Sequence, residues 1–196
     1  MSAGLAGGPY VVLLGGPNGA GKTTLAPSLL RDRLGIRTFV NADTIALGLS
    51  GFSPQRTALV AGKIMLRELR RLAAARESFT FETTLASRSF VPWIKTLKQD
   101  GYSFILVYVW LNSPELSLSR VEDRVRRGGH HVPESAVRRR YVTGLRNFFN
   151  LYAPIANYWR FYDNSSRHGY RLVASNERVL DPVLWRTIQE RHDDSR

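Results

Sequence analysis

One short segment of the chain has the residue types and spacing that bind a nucleoside triphosphate. Residues 16–23 read GPNGAGKT, which matches glycine, four residues, glycine, lysine and then serine or threonine. Glycines let backbone N–H groups form an anion cradle, a lysine in this place reaches the β- and γ-phosphates, and a threonine hydroxyl can bind Mg²⁺. A glycine-rich turn without a ligand is the alternative, and the three-glycine pattern of dinucleotide-binding loops does not fit here.

The prediction from this loop is therefore a nucleoside triphosphate together with Mg²⁺, with Thr23 as the metal ligand. The residues that we assign to nucleotide binding are Gly16, Pro17, Asn18, Gly19, Ala20, Gly21, Lys22, Thr23, Thr24 and Asn164.

Asp43 is the candidate general base. It lies 21 residues after Lys22, which leaves room for a helix, a connection and a strand. A carboxylate that accepts the proton of an attacking hydroxyl is what phosphoryl transfer to an alcohol requires. The alternative is that Asp43 only caps a helix that begins near Thr44.

Further polar side chains follow the predicted strands and are candidates for binding the acceptor. The carboxyl ends of parallel strands share one edge, where ligands bind. The predicted acceptor-binding residues at this edge are Asn41, Asp43, Glu82, Thr83 and Thr84. Glu82 could bind an acceptor hydroxyl or contact magnesium through water, and the alternative is a charge pair with Arg88.

An arginine-rich segment, residues 120–140, predicts a helical lid with a glycine hinge at Gly128-Gly129. Such a hairpin can close over a triphosphate and stabilise the charge on a transferred phosphoryl group. Arg120, Arg124 and Arg127 are spaced to share one helical face, so they are the catalytic candidates beside Lys22 and Asp43. The alternative is a solvated basic face, and it is favoured for Arg126, Arg138 and Arg139.

Strands and helices alternate along the chain, which predicts an α/β fold with a mostly parallel sheet of five to six strands. The first unit is a strand at Tyr10–Leu14, a helix at Lys22–Leu34 that bends near Pro27, and a strand at Thr38–Val40. Later strands are predicted at residues 79–81, 104–111, 160–162 and 170–174, and later helices at 54–76, 90–100, 114–127, 133–148 and from 182 onward.

Composition limits the class of protein. The 196 residues contain no Cys, which excludes disulfides and a cysteine nucleophile, and the charge of +12 favours anionic ligands. Of the 28 basic residues 24 are Arg, so a scattered Arg says little about function. The sequence contains no linker, membrane span or signal peptide, so we expect one domain over residues 1–196, no membrane contact and a cytoplasmic location.

Several motifs together resemble the zeta-toxin family, and more narrowly its stand-alone chromosomal branch, often labelled a predicted ABC-type ATPase. The matching segments, which extend over almost the whole chain, are 16–23, 41–43, 81–84, 110–115, 127–130, 132–133, 138–141 and 162–165. The resemblance implies a three-layer α/β/α P-loop kinase fold and ATP-dependent phosphorylation of a sugar hydroxyl of UDP-N-acetylglucosamine.

On the family's pattern, Lys22 would hold phosphates, Asp43 would be the base and Glu82 would contact the sugar nucleotide. Arg120 would stabilise the transferred charge together with a lid arginine, for which Arg124 and Arg127 are the two candidates. A small helical antitoxin is the implied partner.

Two other functions compete with a nucleotide-sugar kinase, besides a kinase of another small metabolite. A kinase of nucleic-acid 5′-hydroxyl ends would suit the positive charge, but the basic residues gather in a lid and no stacking platform accompanies them. Nucleic acid is therefore not the expected partner. A transport ATPase needs a carboxylate pair after its strongest strand, whereas Asn112 follows that strand here.

Overall fold

A six-stranded sheet lies at the centre of the computed structural model, which describes residues 7–27, 36, 38–49, 54–129, 131–166 and 168–193. The strands are β1 (Tyr10–Gly15), β2 (Thr38–Val40), β3 (Phe79–Thr83), β4 (Ser103–Trp110), β5 (Tyr158–Asp163) and β6 (Arg171–Ser175). Their order is β2-β3-β1-β4-β5-β6, and β6 alone runs antiparallel to its neighbour.

The two central strands are buried on both faces, because continuous apolar runs can be covered by helices on either side of a parallel sheet. Val11 and Leu13 face one cluster of core side chains, while Val12 and Leu14 face the other. In the register of β1, Gly15 pairs with Thr83 of β3 on one side and with Tyr108 of β4 on the other. The loop after β1 therefore leaves the sheet between the carboxyl ends of β3 and β4.

Seven α-helices are present in the described part of the chain. They are α1 (Lys22–Ala26), α2 (Ala42–Leu49), α3 (Pro54–Ala74), α4 (Phe90–Gln99), α5 (Pro114–Arg126), α6 (Glu134–Asn147) and α7 (Pro182–Asp193). A π-helical turn at Phe148–Tyr152 and a 3₁₀ turn at Ala153–Ile155 extend α6.

The helices form layers on the two faces of the sheet. Helices α3, α4 and α7 and the end of α6 contribute apolar side chains to one core, and α1 contributes to the other. Helices α5 and α6 and the connection between them share a small cluster of their own, formed by Val121, Val132 and Val137. The predicted three-layer α/β/α architecture with a mostly parallel sheet is confirmed.

Element bounds differ from the prediction in a few places. Strand β3 continues through Thr83, so Glu82 lies within the strand rather than after it. The described part of α1 ends at Ala26, and the predicted continuation to Leu34 falls outside the described residues. Gly128 takes a φ of 85° at the predicted hinge, where the chain turns from α5 towards α6. No helix within the described ranges is long and apolar enough to cross a membrane.

Candidate active site

The loop between β1 and α1 is shaped by three glycines with positive φ. Gly16, Gly19 and Gly21 have φ values of 141°, 76° and 83°, a region that other L-residues rarely adopt. Gly16 also presses against β4, because a Cβ there would lie 2.1 Å from the carbonyl oxygen of Val109. The loop backbone thus follows a path that a side chain at position 16 would block.

Side chains from later elements donate hydrogen bonds to the backbone carbonyl oxygens of the same loop. Asn164, which follows β5, donates from Nδ2 to the carbonyl oxygen of Ala20 at 3.0 Å, and the Tyr170 hydroxyl donates to that of Gly21 at 2.6 Å. Ser117 of α5 donates to the carbonyl oxygen of Asn18 at 2.5 Å. Asn164, which the sequence assigns to nucleotide binding, therefore contacts the loop backbone itself.

Lys22 is buried at the base of the loop, with only 6% of its side chain exposed. Its Nζ donates to the carbonyl oxygen of Pro17 at 3.0 Å and lies 3.5 Å from Oε1 of Glu82. Burial lowers the pKa of Lys22 below its ordinary 10.5, against the opposing effect of the Glu82 and Asp43 carboxylates. Negative charge from a bound triphosphate would favour the protonated form again.

Glu82, near the end of β3, contacts three polar side chains of the cleft. Its Oε2 accepts a hydrogen bond from the Thr23 hydroxyl at 2.8 Å and another from Asn41 Nδ2 at 2.9 Å. Arg88, its partner in the alternative sequence interpretation, is exposed, and the charge contact of Glu82 is with Lys22. Glu82 thus connects Lys22 and Thr23, next to the glycine-rich loop, with Asn41 on the opposite side of the cleft.

Asn41, rather than Asp43, caps helix α2. Its Oδ1 accepts from the backbone N–H of Asp43 at 2.7 Å and of Thr44 at 3.4 Å, as an N-cap does. The interpretation of Asp43 as the cap is therefore wrong. The Asp43 carboxylate is 55% exposed, and its Oδ2 lies 3.8 Å from Nη1 of Arg124 in α5.

These groups surround one cleft of about 420 Å³. The side chains from the loop and the lid that line it include Lys22, Thr23, Thr24, Arg120, Arg124 and Arg140. The opposite side is lined by Asn41, Ala42, Asp43, Met65, Glu82, Thr83, Thr84 and Phe90. The structure therefore brings the predicted loop, Asp43 and the predicted acceptor residues to the same opening.

The arginines of the lid separate into two groups. Arg120 and Arg124 line the cleft, but Arg127 follows the last residue of α5, is exposed and does not line it. Arg140 of α6, which was not among the candidates, does line it, and its Nη1 lies 3.4 Å from Oδ1 of Asn18. The periodicity of α6 could have identified Arg140, because Val137, Tyr141 and Gly144 are buried around it.

The arginines favoured as solvated are indeed exposed. Arg138 pairs with Glu115 at 2.7 Å and with Glu134 at 2.8 Å, and Arg126 pairs with Asp123. Arg139 is exposed as well. The described residues contain no group of three or more His, Asp or Glu side chains that could hold a metal ion among themselves.

The chain was then compared with known proteins. Residues 11–141 match the model of the family AAA_33, described as an AAA domain. A relative from Haemophilus influenzae, an uncharacterized protein, is 31% identical over 126 residues, which cover 64% of this chain and 88% of the relative.

Two similar solved structures come from toxin–antitoxin or two-protein complexes. The structure of AvrRxo1-ORF1:-ORF2 with ATP superposes with a TM-score of 0.75 at 20% identity over 92% of this chain. This chain spans only 63% of the length of that one. The PezAT chromosomal toxin–antitoxin system of Streptococcus pneumoniae gives a TM-score of 0.65 at 18% identity, covering 99% of this chain and 90% of the other.

At these identities the structural likenesses establish the fold alone, which is P-loop kinase-like. The family match covers most of the chain, and the matched residues include the glycine-rich loop, Asp43, Glu82 and Arg140. The chain belongs to the AAA domain family AAA_33.

Proposed function

We propose that the protein is an ATP-dependent phosphotransferase that transfers the γ-phosphoryl group of ATP to a hydroxyl of a small acceptor. The observation that carries this proposal is the placement of Lys22 and Asp43 in one cleft with three arginines. A cation at the phosphates, a carboxylate at the acceptor and further cations between them are the groups that phosphoryl transfer requires.

The glycine-rich loop and Lys22 would bind the triphosphate. The loop ends at the N-terminus of α1, where N–H groups and the Lys22 ammonium attract phosphate oxygens. The Thr23 hydroxyl oxygen and a Glu82 carboxylate oxygen lie 2.8 Å apart. Both can serve as metal ligands, and Mg²⁺ prefers oxygen ligands of this kind. Thr23 would bind the ion directly, and Mg²⁺ there would neutralise negative charge on the phosphates.

Asp43 would accept the proton of the attacking hydroxyl. Its carboxylate is half exposed and opens into the cleft, so an acceptor can reach it. Arg124 lies within 3.8 Å of it, and Arg120 and Arg140 line the same cleft on the loop side. These arginines would stabilise negative charge on the transferred phosphoryl group, while the proton passes from the acceptor oxygen to the Asp43 carboxylate.

UDP-N-acetylglucosamine, or a related nucleotide sugar, is the acceptor that we propose to test first. The resemblance of the motifs to the zeta-toxin family supports it, and so does the fold shared with a chain of the PezAT toxin–antitoxin system. The same support extends to a small antitoxin as a partner. A kinase of nucleic-acid 5′-hydroxyl ends and a kinase of another small metabolite are the alternatives.

The experiment is a mass-spectrometric screen of candidate acceptors incubated with the protein, ATP and Mg²⁺. We expect a mass gain of one phosphoryl group on UDP-N-acetylglucosamine or a related nucleotide sugar. Asp43→Asn should lower the transfer rate by about 10²- to 10⁴-fold and leave ATP binding intact. Asp100→Asn, at an exposed position that ends α4, is the matched control.

Each outcome of the screen has a distinct meaning. Phosphorylation of a 5′-hydroxyl oligonucleotide in place of the nucleotide sugar supports the nucleic-acid alternative. ATP hydrolysis that no acceptor accelerates contradicts the kinase proposal. Full transfer activity in Asp43→Asn removes Asp43 as the base.

A further inference from the structure

The segment between β3 and α4, residues 83–90, forms one wall of the acceptor side of the cleft. Thr83, Thr84 and Phe90 of this acceptor segment line the opening. Leu85, the third residue of the segment, is fully buried and has a φ of 63°. A non-glycine residue keeps such a conformation only when its surroundings hold it there.

Helix α6 and the π turn after it supply those surroundings through three contacts. Asn147, which is 1% exposed, donates from Nδ2 to the carbonyl oxygen of Leu85 at 2.8 Å. The buried Tyr152 donates its hydroxyl to the carbonyl oxygen of Ser87 at 2.5 Å. Gly144 packs so closely that a Cβ there would lie 2.5 Å from the carbonyl oxygen of Thr84.

The π turn explains how side chains five residues apart reach the same segment. Along a regular α-helix, residues 147 and 152 would point about 140° apart, since each residue turns the helix by about 100°. The π turn at Phe148–Tyr152 has more residues per turn, which reduces the angle between the two side chains. Insertions of this kind are frequent at functional sites.

The same helix also reaches the nucleotide side of the cleft. Arg140, seven residues before Asn147, contacts Asn18 of the glycine-rich loop. Seven residues are nearly two full turns of helix and rise about 10 Å, so the two contacts lie on one face of the same helix. Helix α6 therefore sets the separation between the two substrates.

From these contacts we infer that Asn147 and Tyr152 are positioning residues that fix the acceptor segment relative to the phosphates. The inference rests on the proposed phosphotransferase function. Transfer requires the acceptor oxygen in line with the phosphorus, and a misplacement of about 1 Å can cost about 10²-fold in rate. Loosening the segment should therefore impair acceptor use and spare ATP binding.

The test compares Tyr152→Phe and Asn147→Ala with Tyr102→Phe. Tyr102 is a matched control, since it is also buried and its hydroxyl also donates to a backbone carbonyl, that of Glu77 at 2.9 Å, away from the cleft. With UDP-N-acetylglucosamine as the acceptor probe, we expect kcat/KM for the acceptor to fall by up to about 10²-fold in the first two variants. The Kd for ATP should stay within about twofold in all three.

Hydrogen exchange at residues 83–90, followed by mass spectrometry, gives a readout that needs no acceptor. Exchange should accelerate in Tyr152→Phe and Asn147→Ala and remain at the wild-type rate in Tyr102→Phe. Tyr152→Phe keeps the test valid if Asn147→Ala does not fold.

The outcomes separate this inference from the proposed function. Unchanged exchange at residues 83–90, or an equal loss of ATP and acceptor binding, overturns the positioning role. A wild-type protein that phosphorylates no acceptor overturns the proposed function instead, and the wild-type reaction alone reveals this.

Discussion

Nζ of Lys22 lies 3.5 Å from Oε1 of Glu82, inside the cleft that the glycine-rich loop borders. The Glu82 carboxylate compensates the positive charge of the buried ammonium, and its other oxygen accepts a hydrogen bond from the Thr23 hydroxyl. A triphosphate that reaches Lys22 must therefore approach a carboxylate as well. Neutralisation of that negative charge by Mg²⁺ would make the approach favourable.

Glu82→Gln should consequently reduce the dependence of ATP binding on Mg²⁺. The amide keeps the shape of the side chain but removes the charge that repels phosphate and attracts the cation. We expect the variant to bind ATP more tightly than the wild type in EDTA and to gain less affinity on addition of Mg²⁺. Calorimetric titration with EDTA and with Mg²⁺ gives, for each protein, the ratio of the two Kd values for ATP. Equal ratios in the variant and the wild type contradict the assignment of Glu82 to the phosphate-binding end of the site.

Arg140→Ala should lower the rate of phosphoryl transfer by about 10²-fold, as loss of one preorganised charged donor does at comparable sites. Arg139→Ala is the matched control, because Arg139 is the exposed neighbour on the same helix. Arg127→Ala should have a smaller effect than Arg140→Ala, since Arg127 does not line the cleft. Steady-state kinetics compares the three, and the reverse order would show that closure of the lid brings Arg127 to the phosphates.

Tyr170→Phe should weaken ATP binding by about fivefold, which corresponds to about 1 kcal/mol for one lost hydrogen bond. The Tyr170 hydroxyl contacts the carbonyl oxygen of Gly21 and so orients the loop. The KM for the acceptor should not change, and Tyr102→Phe again serves as the control. A change in acceptor KM alone would contradict a role confined to the loop.

The stability that Tyr152 contributes should decrease at alkaline pH. Burial raises the pKa of the Tyr152 phenol from 10.0 to about 12, so between these values the unfolded chain loses this proton while the folded chain retains it. The unfolded state then binds fewer protons, and the free energy of unfolding falls as pH rises. Relative to Tyr152→Phe, the wild type should lose on the order of 1 kcal/mol between pH 9 and pH 11.

Chemical denaturation of both proteins at the two pH values measures this difference. Because the other tyrosines are common to both proteins, their titration cancels. A difference that stays constant from pH 9 to pH 11 contradicts the raised pKa.

Local patterns were sufficient to predict the sheet and the nucleotide loop. Apolar runs such as Val11–Leu14 are characteristic of buried parallel strands, and the glycines at 16, 19 and 21 specify a backbone path by themselves. The acidic residues at strand ends were also predictable, because parallel strands bring their carboxyl ends together.

Contacts between distant parts of the chain could not be predicted in the same way. Asn147 and Leu85 are 62 residues apart, and nothing in either local pattern indicates their hydrogen bond. Asn41, with Asp43 two residues later, was ambiguous, because both side chains can cap a helix. Arg140 was missed because the spacing of arginines was considered only along α5, whereas the buried positions Val137, Tyr141 and Gly144 mark the side of α6 on which Arg140 lies.

The contact of Gly16 with Val109 has a consequence for the entropy of ligand capture. The loop lies directly against the buried strand β4, and this contact restricts the conformations of its backbone before any phosphate arrives. Little chain freedom is then lost on association, and the strength of nucleotide binding reflects charge and hydrogen bonds with almost no ordering cost of the loop.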